Sequence, residues 1–426
     1  MTILLNFIYL FIIAAASPVI LWRMIRYGKY REGFAEKFLG LVPRTPNQSG
    51  RVIWFHAVSV GEVNLLKPII PLLKTELDIH ILISSTSKTG YRLAQKLFSD
   101  LTVFYCPLDF SWSVKRALRR LCPDLLVLAE LELWPNLLRE ASKQGIKTAI
   151  INGRISDSSF RNYKMIRPLI RPVFKRLDFV AASGKTAADR FLELGVRPDS
   201  LIETGSIKFD GVQTDRRNPK TTALADLAGI DLQKEIVFLA GSTQDPEEES
   251  ALGAFRHWSA EFPNLKLILV PRHPERFDTV AKLLDDSGLP WTRRSLLGKG
   301  AAPSSILLVD TVGELGAWWG TASIAFVGGS FGKRGGQNML EPAAYGAAVS
   351  FGPNTKNFRE ISERMLRQNA AVVVRNTDEL SAFLGKCLRD PQYRNDLGRR
   401  ALQLVLSQQG ACRKTLDALK NLFLQK

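Results

Sequence analysis

From Arg51 onward, short apolar runs alternate with amphipathic stretches, and the series occurs twice. Val52–His56, His80–Ile83, Thr102–Tyr105, Leu125–Ala129, Thr148–Ile151 and Phe179–Ala181 are the first set of runs. Ile236–Ala240, Leu265–Val270, Ile306–Val309, Ile324–Val327, Val349–Phe351 and Ala371–Val374 are the second. Runs this short, apolar throughout, fit strands covered on both faces. Between them the period lengthens to that of helices, as in Val63–Leu77, Lys88–Phe98, Trp112–Leu121, Trp134–Lys143 and Ala187–Leu194. Strand–helix–strand alternation builds parallel, doubly wound sheets, and 426 residues exceed what one core supports. The expectation is two α/β domains. The polar stretch Gln213–Lys220, within a weakly patterned 211–234, reads as the linker, and residues 377–426 read as nearly continuous helix. The boundaries are then an anchor over 1–25, a first domain over 26–212 and a second over 213–426, whose last helices could pack back on the first.

Met1 to Trp22 contains no charged residue. That length approaches the ~20 apolar residues that cross a bilayer. Trp22 and Tyr27 fall where interfacial aromatics belong, and Arg23, Arg26, Lys29 and Arg31 follow. Cations on that flank place the remainder of the chain in the cytoplasm. Ala14-Ala15-Ala16-Ser17 imitates a cleavage site, but no cation precedes the apolar run as a signal peptide requires. Pro18 interrupts the segment, so a partly inserted anchor stays open beside a full span.

The net charge of +17 favours anionic partners. No zinc-finger spacing or aromatic RNA-binding run accompanies it, so membrane or phosphate outranks nucleic acid. The cysteines (Cys106, Cys122, Cys387, Cys412) form no C-x-x-C pair and read as reduced thiols. With four histidines and no H-E-x-x-H, no metal site is expected.

Ligands of doubly wound sheets bind beyond the carboxyl ends of the strands, so the loops there carry the candidates. In His56-Ala57-Val58-Ser59-Val60-Gly61-Glu62, Glu62 opens a helix, either as a general base or as a complement to the helix dipole. Glu130-Leu131-Glu132-Leu133-Trp134-Pro135-Asn136 offers two carboxylates at a strand's carboxyl end, one able to face the cleft while the other caps or braces. Lys208, in Thr204–Asp210, could balance phosphate or a sugar carboxylate, or merely be solvated. Arg272, in the stiff Pro271-Arg272-His273-Pro274 loop, presents a planar fork suited to phosphate. Gly328 to Asn338 holds five glycines and two cations ahead of a helix over Met339–Tyr345, a loop whose amides could cradle phosphate, with Glu341 placed for ribose hydroxyls. Walker spacing is absent, and no G-x-G-x-x-G follows the first strand, which disfavours a dehydrogenase. No Asp-x-Asp occurs, so the metal-binding pair of many sugar transferases is missing. Arg161, Lys164, Arg167, Arg171 and Lys175 recur at helical spacing, either as a platform for an anionic membrane or as a solvated face.

These motifs in this order resemble the Kdo transferases, which attach 3-deoxy-D-manno-octulosonic acid (Kdo) to the lipid A precursor. The resemblance runs through the apolar N-terminus, His56–Glu62, Glu130–Asn136, Asn152-Gly153-Arg154, Thr204–Asp210, Pro271–Phe277, Gly313-Glu314-Leu315, Gly328-Gly329-Ser330 and Gly335–Glu341. It implies a GT-B fold, with two Rossmann-like domains facing across a cleft. It also implies an inverting, metal-free and cofactor-free transfer from CMP-Kdo to lipid IVA at the cytoplasmic face of the inner membrane. By the family pattern Glu62 is the general base, Glu130 (in preference to Glu132) and Lys208 stabilise the transition state, and CMP is held by Pro271, Arg272, Val312, Gly313, Glu314, Asn338, Met339, Leu340 and Glu341. The family often has Asn-Pro-Leu-Glu where this chain has Asn338-Met339-Leu340-Glu341. The rival is a GT-B transferase using a UDP-sugar and a polyprenyl-phosphate lipid.

Overall fold

The computed structural model describes residues 2–27, 32–45 and 50–424; the expected juxtamembrane cations Lys29 and Arg31 lie outside the described residues. The chain divides into two compact units, residues 1–211 with 408–426, and residues 212–407.

The first unit carries seven parallel strands: β1 (Arg51–His56), β2 (Ile79–Ser85), β3 (Thr102–Tyr105), β4 (Leu125–Ala129), β5 (Lys147–Gly153), β6 (Phe179–Ala182) and β7 (Leu201–Glu203). Their order is β3-β2-β1-β4-β5-β6-β7, so the chain reverses its direction of winding between β1 and β4. The central strands are buried on both faces, which is why they read as unbroken apolar runs. One core lies on each side of the sheet, with Phe55 and Val127 on one and Trp54 and Leu126 on the other. The helix Ala411–Leu424 belongs to this unit and adds Leu416, Leu419 and Phe423 to the Phe55 core. Asp210 fastens its start by accepting the N–H groups of Gly410 and Cys412, both at 2.5 Å.

The second unit carries β8 (Ile236–Thr243), β9 (Leu265–Pro271), β10 (Trp291–Arg293), β11 (Ile306–Leu308), β12 (Ile324–Val327), β13 (Ala348–Phe351) and β14 (Val372–Val373), all parallel, in the order β10-β11-β9-β8-β12-β13-β14. Two such sheets with helices on both faces are the Rossmann-like domains of a GT-B protein.

Several expectations are corrected. The stretch read as a linker contains the helix Pro219–Leu227, capped by Asn218, whose side chain accepts the Thr221 N–H at 3.1 Å. Its polar residues are the capping residues of a helix start. Arg216 is likewise committed to the second unit, donating to the carbonyls of Tyr345, Gly320 and Ala322. The segment Val63–Leu77 is two helices, Val60–Leu65 and Ile69–Glu76, divided at Pro68. The basic run from Arg161 to Lys175 is not one helical face. Asp157–Met165 and Arg167–Phe174 are separate helices, because Pro168 lacks the N–H that a continuous helix would use. Residues 377–424 are nearly continuous helix, as expected, in three segments broken before Pro391 and at Gly410.

Candidate active site

In the first unit the ends of β1, β4 and β5 and the loop after β7 bring the charged candidates to one edge of the sheet. Ser59 caps the helix Val60–Leu65 in extended conformation, and Glu62 is its third residue, a capping box. The Ser59 hydroxyl donates to Glu62 Oε1 at 2.8 Å, and the Val58 N–H donates to Glu62 Oε2 at 2.7 Å. The carboxylate is therefore fixed over the loop that precedes its own helix. That loop is braced from β2, since the hydroxyls of Ser85 and Ser87 both donate to the Val58 carbonyl. Gly90 makes the approach possible, because a Cβ there would stand 2.5 Å from Ser85 Oγ and 2.9 Å from the Val58 oxygen. Burial raises the Glu62 pKa, the hydrogen bonds from Val58 and Ser59 oppose the rise, and the Glu130 charge adds to it.

Glu130 follows β4 with φ 56, in the left-handed region that few non-glycine residues adopt. Its carboxylate meets Lys208 Nζ at 3.1 Å and an Arg154 guanidinium nitrogen at 2.8 Å. Glu130 is largely shielded, while Arg154 and Lys208 keep more contact with solvent. Asn152 is also left-handed (φ 51). Its Oδ1 accepts the Ser206 hydroxyl at 3.1 Å and the Ile207 N–H at 3.0 Å, fixing the turn that carries Lys208. The structure thus brings together Glu62, Glu130 and Lys208, and adds Arg154 and Asn152 to them. Asn152 and Arg154 lay within a recognised motif, but neither was assigned a role from sequence.

β4 ends at Ala129 and the left-handed Glu130 turns the chain, so strand geometry does not set where Glu132 points. Burial and the neighbouring Glu62 charge push Glu132 up to about 7. His56, at the end of β1, is a buried core histidine. Its Nδ1 meets Ser84 Oγ at 2.9 Å, and burial lowers it to about 4, so it stays neutral.

In the second unit Pro271 ends β9, and Arg272 follows it, its side chain exposed and its backbone N–H donating to the Thr243 carbonyl at 3.0 Å. Val312 and Gly313 lie in the exposed loop after β11. Glu314 is tied down in that loop. Arg294 grips it with two bonds of 2.9 and 2.8 Å, and the Thr311 hydroxyl and Trp318 Nε1 also donate to it. Asn338 accepts the Leu340 N–H and donates to Glu341 Oε1 at 2.9 Å, at the head of the short helix Leu340–Ala344 that also contains Glu341. Met339 and Leu340 are buried, so only their backbone is available to a ligand. All these positions follow the carboxyl ends of β9, β11 and β12 in a parallel sheet, hence one edge.

The glycine-rich loop differs from expectation. The N–H groups of Gly329, Ser330 and Phe331 all donate to the Glu247 carboxylate, at 2.7, 2.8 and 2.9 Å. These amides bind an anion, but the anion is the protein's own. Glu247 is nearly fully buried in the first turn of the helix Glu247–Trp258. In the sequence no local signal separates it from Glu248 and Glu249. Gly335 and Gly336, both at positive φ, carry the loop onward, and a Cβ at Gly335 would lie 2.5 Å from Lys356. Among the described residues no group of His, Cys, Asp and Glu is arranged to hold a metal.

A family model described as 3-deoxy-D-manno-octulosonic-acid transferase matches residues 31–211. A 3-deoxy-D-manno-octulosonic acid transferase of Haemophilus influenzae is 32% identical over 97% of this chain and 98% of its own. The enzyme of the same name from Bordetella pertussis is 32% identical over 97% and 98%. Among solved structures, a glycosyltransferase from Rickettsia africae aligns over 89% of this chain and all of its own, with TM-score 0.56 and 13% identity. A UDP-GlcNAc 2-epimerase from Neisseria meningitidis aligns over 87% and all of its own, with TM-score 0.53 and 11% identity. These two share the fold alone. The near-complete coverage by sequence relatives shows that the chain belongs to the 3-deoxy-D-manno-octulosonic acid transferase family.

Proposed function

We propose that the chain transfers Kdo from CMP-Kdo to a lipid A precursor, with inversion at the anomeric carbon, at the cytoplasmic face of the inner membrane. The observation that carries the mechanism is Glu62, a buried carboxylate held by Ser59 and Val58, its pKa raised by burial. Such a group suits a general base working near neutral pH. Glu62 takes the proton of the acceptor hydroxyl as that oxygen attacks the anomeric carbon. The bond from that carbon to the CMP phosphate breaks, and CMP leaves with the electron pair.

Lys208 and Arg154, paired with Glu130, supply positive charge to the sugar carboxylate or the departing phosphate. The first unit takes the acceptor and the second the nucleotide. In the second unit Arg272 offers the phosphate-binding fork. Pro271, the backbone of Val312 to Glu314, and Asn338 to Glu341 frame the rest of the nucleotide. The amides of residues 329–331 are excluded from phosphate binding because Glu247 occupies them. Preorganised cations of this kind contribute about 3 kcal/mol per donor to the transition state.

Calorimetry on the full-length chain in detergent tests the reading, comparing CMP with UDP, with and without EDTA. CMP binding that survives chelation, together with loss of Kdo transfer in Glu62→Gln, supports it. Preference for UDP overturns the donor assignment and favours a UDP-sugar transferase.

A further inference from the structure

The N-terminal helix α1 (Thr2–Tyr27) is apolar, but its few polar residues are not scattered. Thr2, Asn6, Tyr9 and Ser17 are the only ones before Trp22 that are neither aliphatic, phenylalanine nor proline, and all four are half-buried. With Ile13, Ile20 and Met24, also half-buried, they recur at steps of three and four, which is one stripe along the helix. The opposite side is exposed and carries large apolar groups, including Ile3, Phe7, Phe11, Val19, Trp22 and Ile25.

The stripe is docked on the first unit. Asn6 Nδ2 donates to Ser111 Oγ at 2.7 Å, and the Ser111 N–H donates back to Asn6 Oδ1 at 3.1 Å. The Tyr9 hydroxyl donates to Asp109 Oδ2 at 3.1 Å, and its ring packs edge-on against Phe110 at 6.1 Å. Arg139 donates to the Thr2 hydroxyl. The receiving surface is built into the fold. Asp109 also accepts the N–H groups of Asn136 and Leu137 and so caps the helix Pro135–Lys143, which bears Arg139. A helix of 26 residues is about 39 Å long, enough to cross a bilayer. Yet its start is bonded to the unit that its end leads into. A helix crossing the membrane would carry Thr2, Asn6 and Tyr9 to the far side, away from Arg139, Ser111 and Asp109.

We infer that α1 lies in the plane of the membrane surface, strapped to the first unit by Thr2, Asn6 and Tyr9, with its exposed apolar side in the lipid. The occupant is a lipid surface because the exposed side is apolar along its whole length, as hydrocarbon contact requires, and ends in Trp22, Arg23 and Arg26 at headgroup chemistry. This inference rests on the membrane localisation proposed above and fixes its geometry.

The test uses the full-length chain with Cys122→Ser, to remove the one exposed native thiol. Two cysteine pairs are introduced separately, Asn6→Cys with Ser111→Cys and Thr2→Cys with Arg139→Cys. Washed membranes are treated with a short bis-maleimide, and bridged peptides are read by mass spectrometry. A control pair uses Phe11→Cys, on the lipid-facing side, with Ser111→Cys. The expected result is bridging of both docking pairs in the membrane fraction and none in the control. Absence of both bridges in membrane-bound protein whose cysteines still react with a monofunctional maleimide means that α1 spans, which overturns the inference and spares the localisation. Recovery of the chain in the soluble fraction overturns the localisation and the inference together. A soluble dimer then identifies a second copy as the cover of the apolar side.

Discussion

Glu62 and Ser59 hold each other in both directions: the Ser59 hydroxyl donates to Glu62 Oε1 at 2.8 Å, and the Glu62 N–H donates to Ser59 Oγ at 3.3 Å. The second bond starts the helix and the first places the carboxylate, so one serine serves both fold and chemistry. Removing it separates the two. Ser59→Ala deletes a bond that favours the ionised carboxylate, against a burial that disfavours it. The acid limb of the kcat/KM profile therefore moves to higher pH, while the rate on the alkaline plateau falls little. Glu62→Gln lowers kcat about 10²- to 10⁴-fold on the alkaline plateau and abolishes the acid limb, in keeping with loss of a general base. An acid limb unmoved in Ser59→Ala would remove Glu62 from the role of base.

Glu132 predicts a pH-dependent stability. Its folded pKa, about 7, lies above the ordinary 4.5, so the folded state binds its proton more tightly than the unfolded state does. The stability this supplies is complete below pH 4.5 and is lost as pH rises through 7. Glu132→Gln removes the charged form. The melting temperature of the variant relative to the parent should rise between pH 5 and pH 8, by the equivalent of about 1 kcal/mol once solvent screening is allowed for. Equal differences at both pH values would show that Glu132 is not held in a raised state.

Asn152 acts on the reaction through Lys208. Asn152→Ala deletes the two bonds that fix the Ser206–Ile207 turn and puts alanine at φ 51. The stability cost is about 2 kcal/mol from lost buried bonds and backbone strain. Asn152→Gly relieves the strain and keeps the bond loss. If Asn152 positions Lys208, kcat falls in both variants, whereas a purely conformational role predicts recovery in the glycine variant.

The Glu247 carboxylate predicts a defect in nucleotide binding without any contact with nucleotide. Glu247→Gln replaces an acceptor-only anion with an amide whose NH₂ faces the same N–H groups. At least one of the amides at 329–331 then lacks an acceptor, at a cost of about 2 kcal/mol. The loop between β12 and Asn338 loosens, and CMP affinity measured by calorimetry falls while the first unit keeps its thermal transition. Unchanged CMP affinity would dissociate this loop from the donor site.

The central strands were legible because burial on both faces leaves an uninterrupted apolar signal; β4 and β12 coincide with their apolar runs residue for residue, as does the edge strand β3. The edge strands β7 and β10 were not seen. Each has three residues, and Ile202 and Glu203 of β7 are exposed, so neither length nor hydrophobicity marks them. Glu62 was legible as a carboxylate opening a helix at the end of a strand, although its cap by Ser59 was not. Glu247 was not, since the loop amides it binds lie more than 80 residues away and two further glutamates follow it. The placement of Glu132 depended on a left-handed residue at Glu130, which glutamate does not advertise.

The return of the helix Ala411–Leu424 to the first unit also orders events during synthesis. A ribosome that has made residues 1–211 has delivered all seven strands of the first sheet but not Leu416, Leu419 or Phe423 of the core beneath them. That face remains open through the translation of the entire second unit. A nascent chain arrested after residue 211 should therefore be cut readily by protease, and one extended past residue 424 should resist. The seat of α1 is on the other side of the sheet, over the Trp54 core, and is complete while the Phe55 side still stands open.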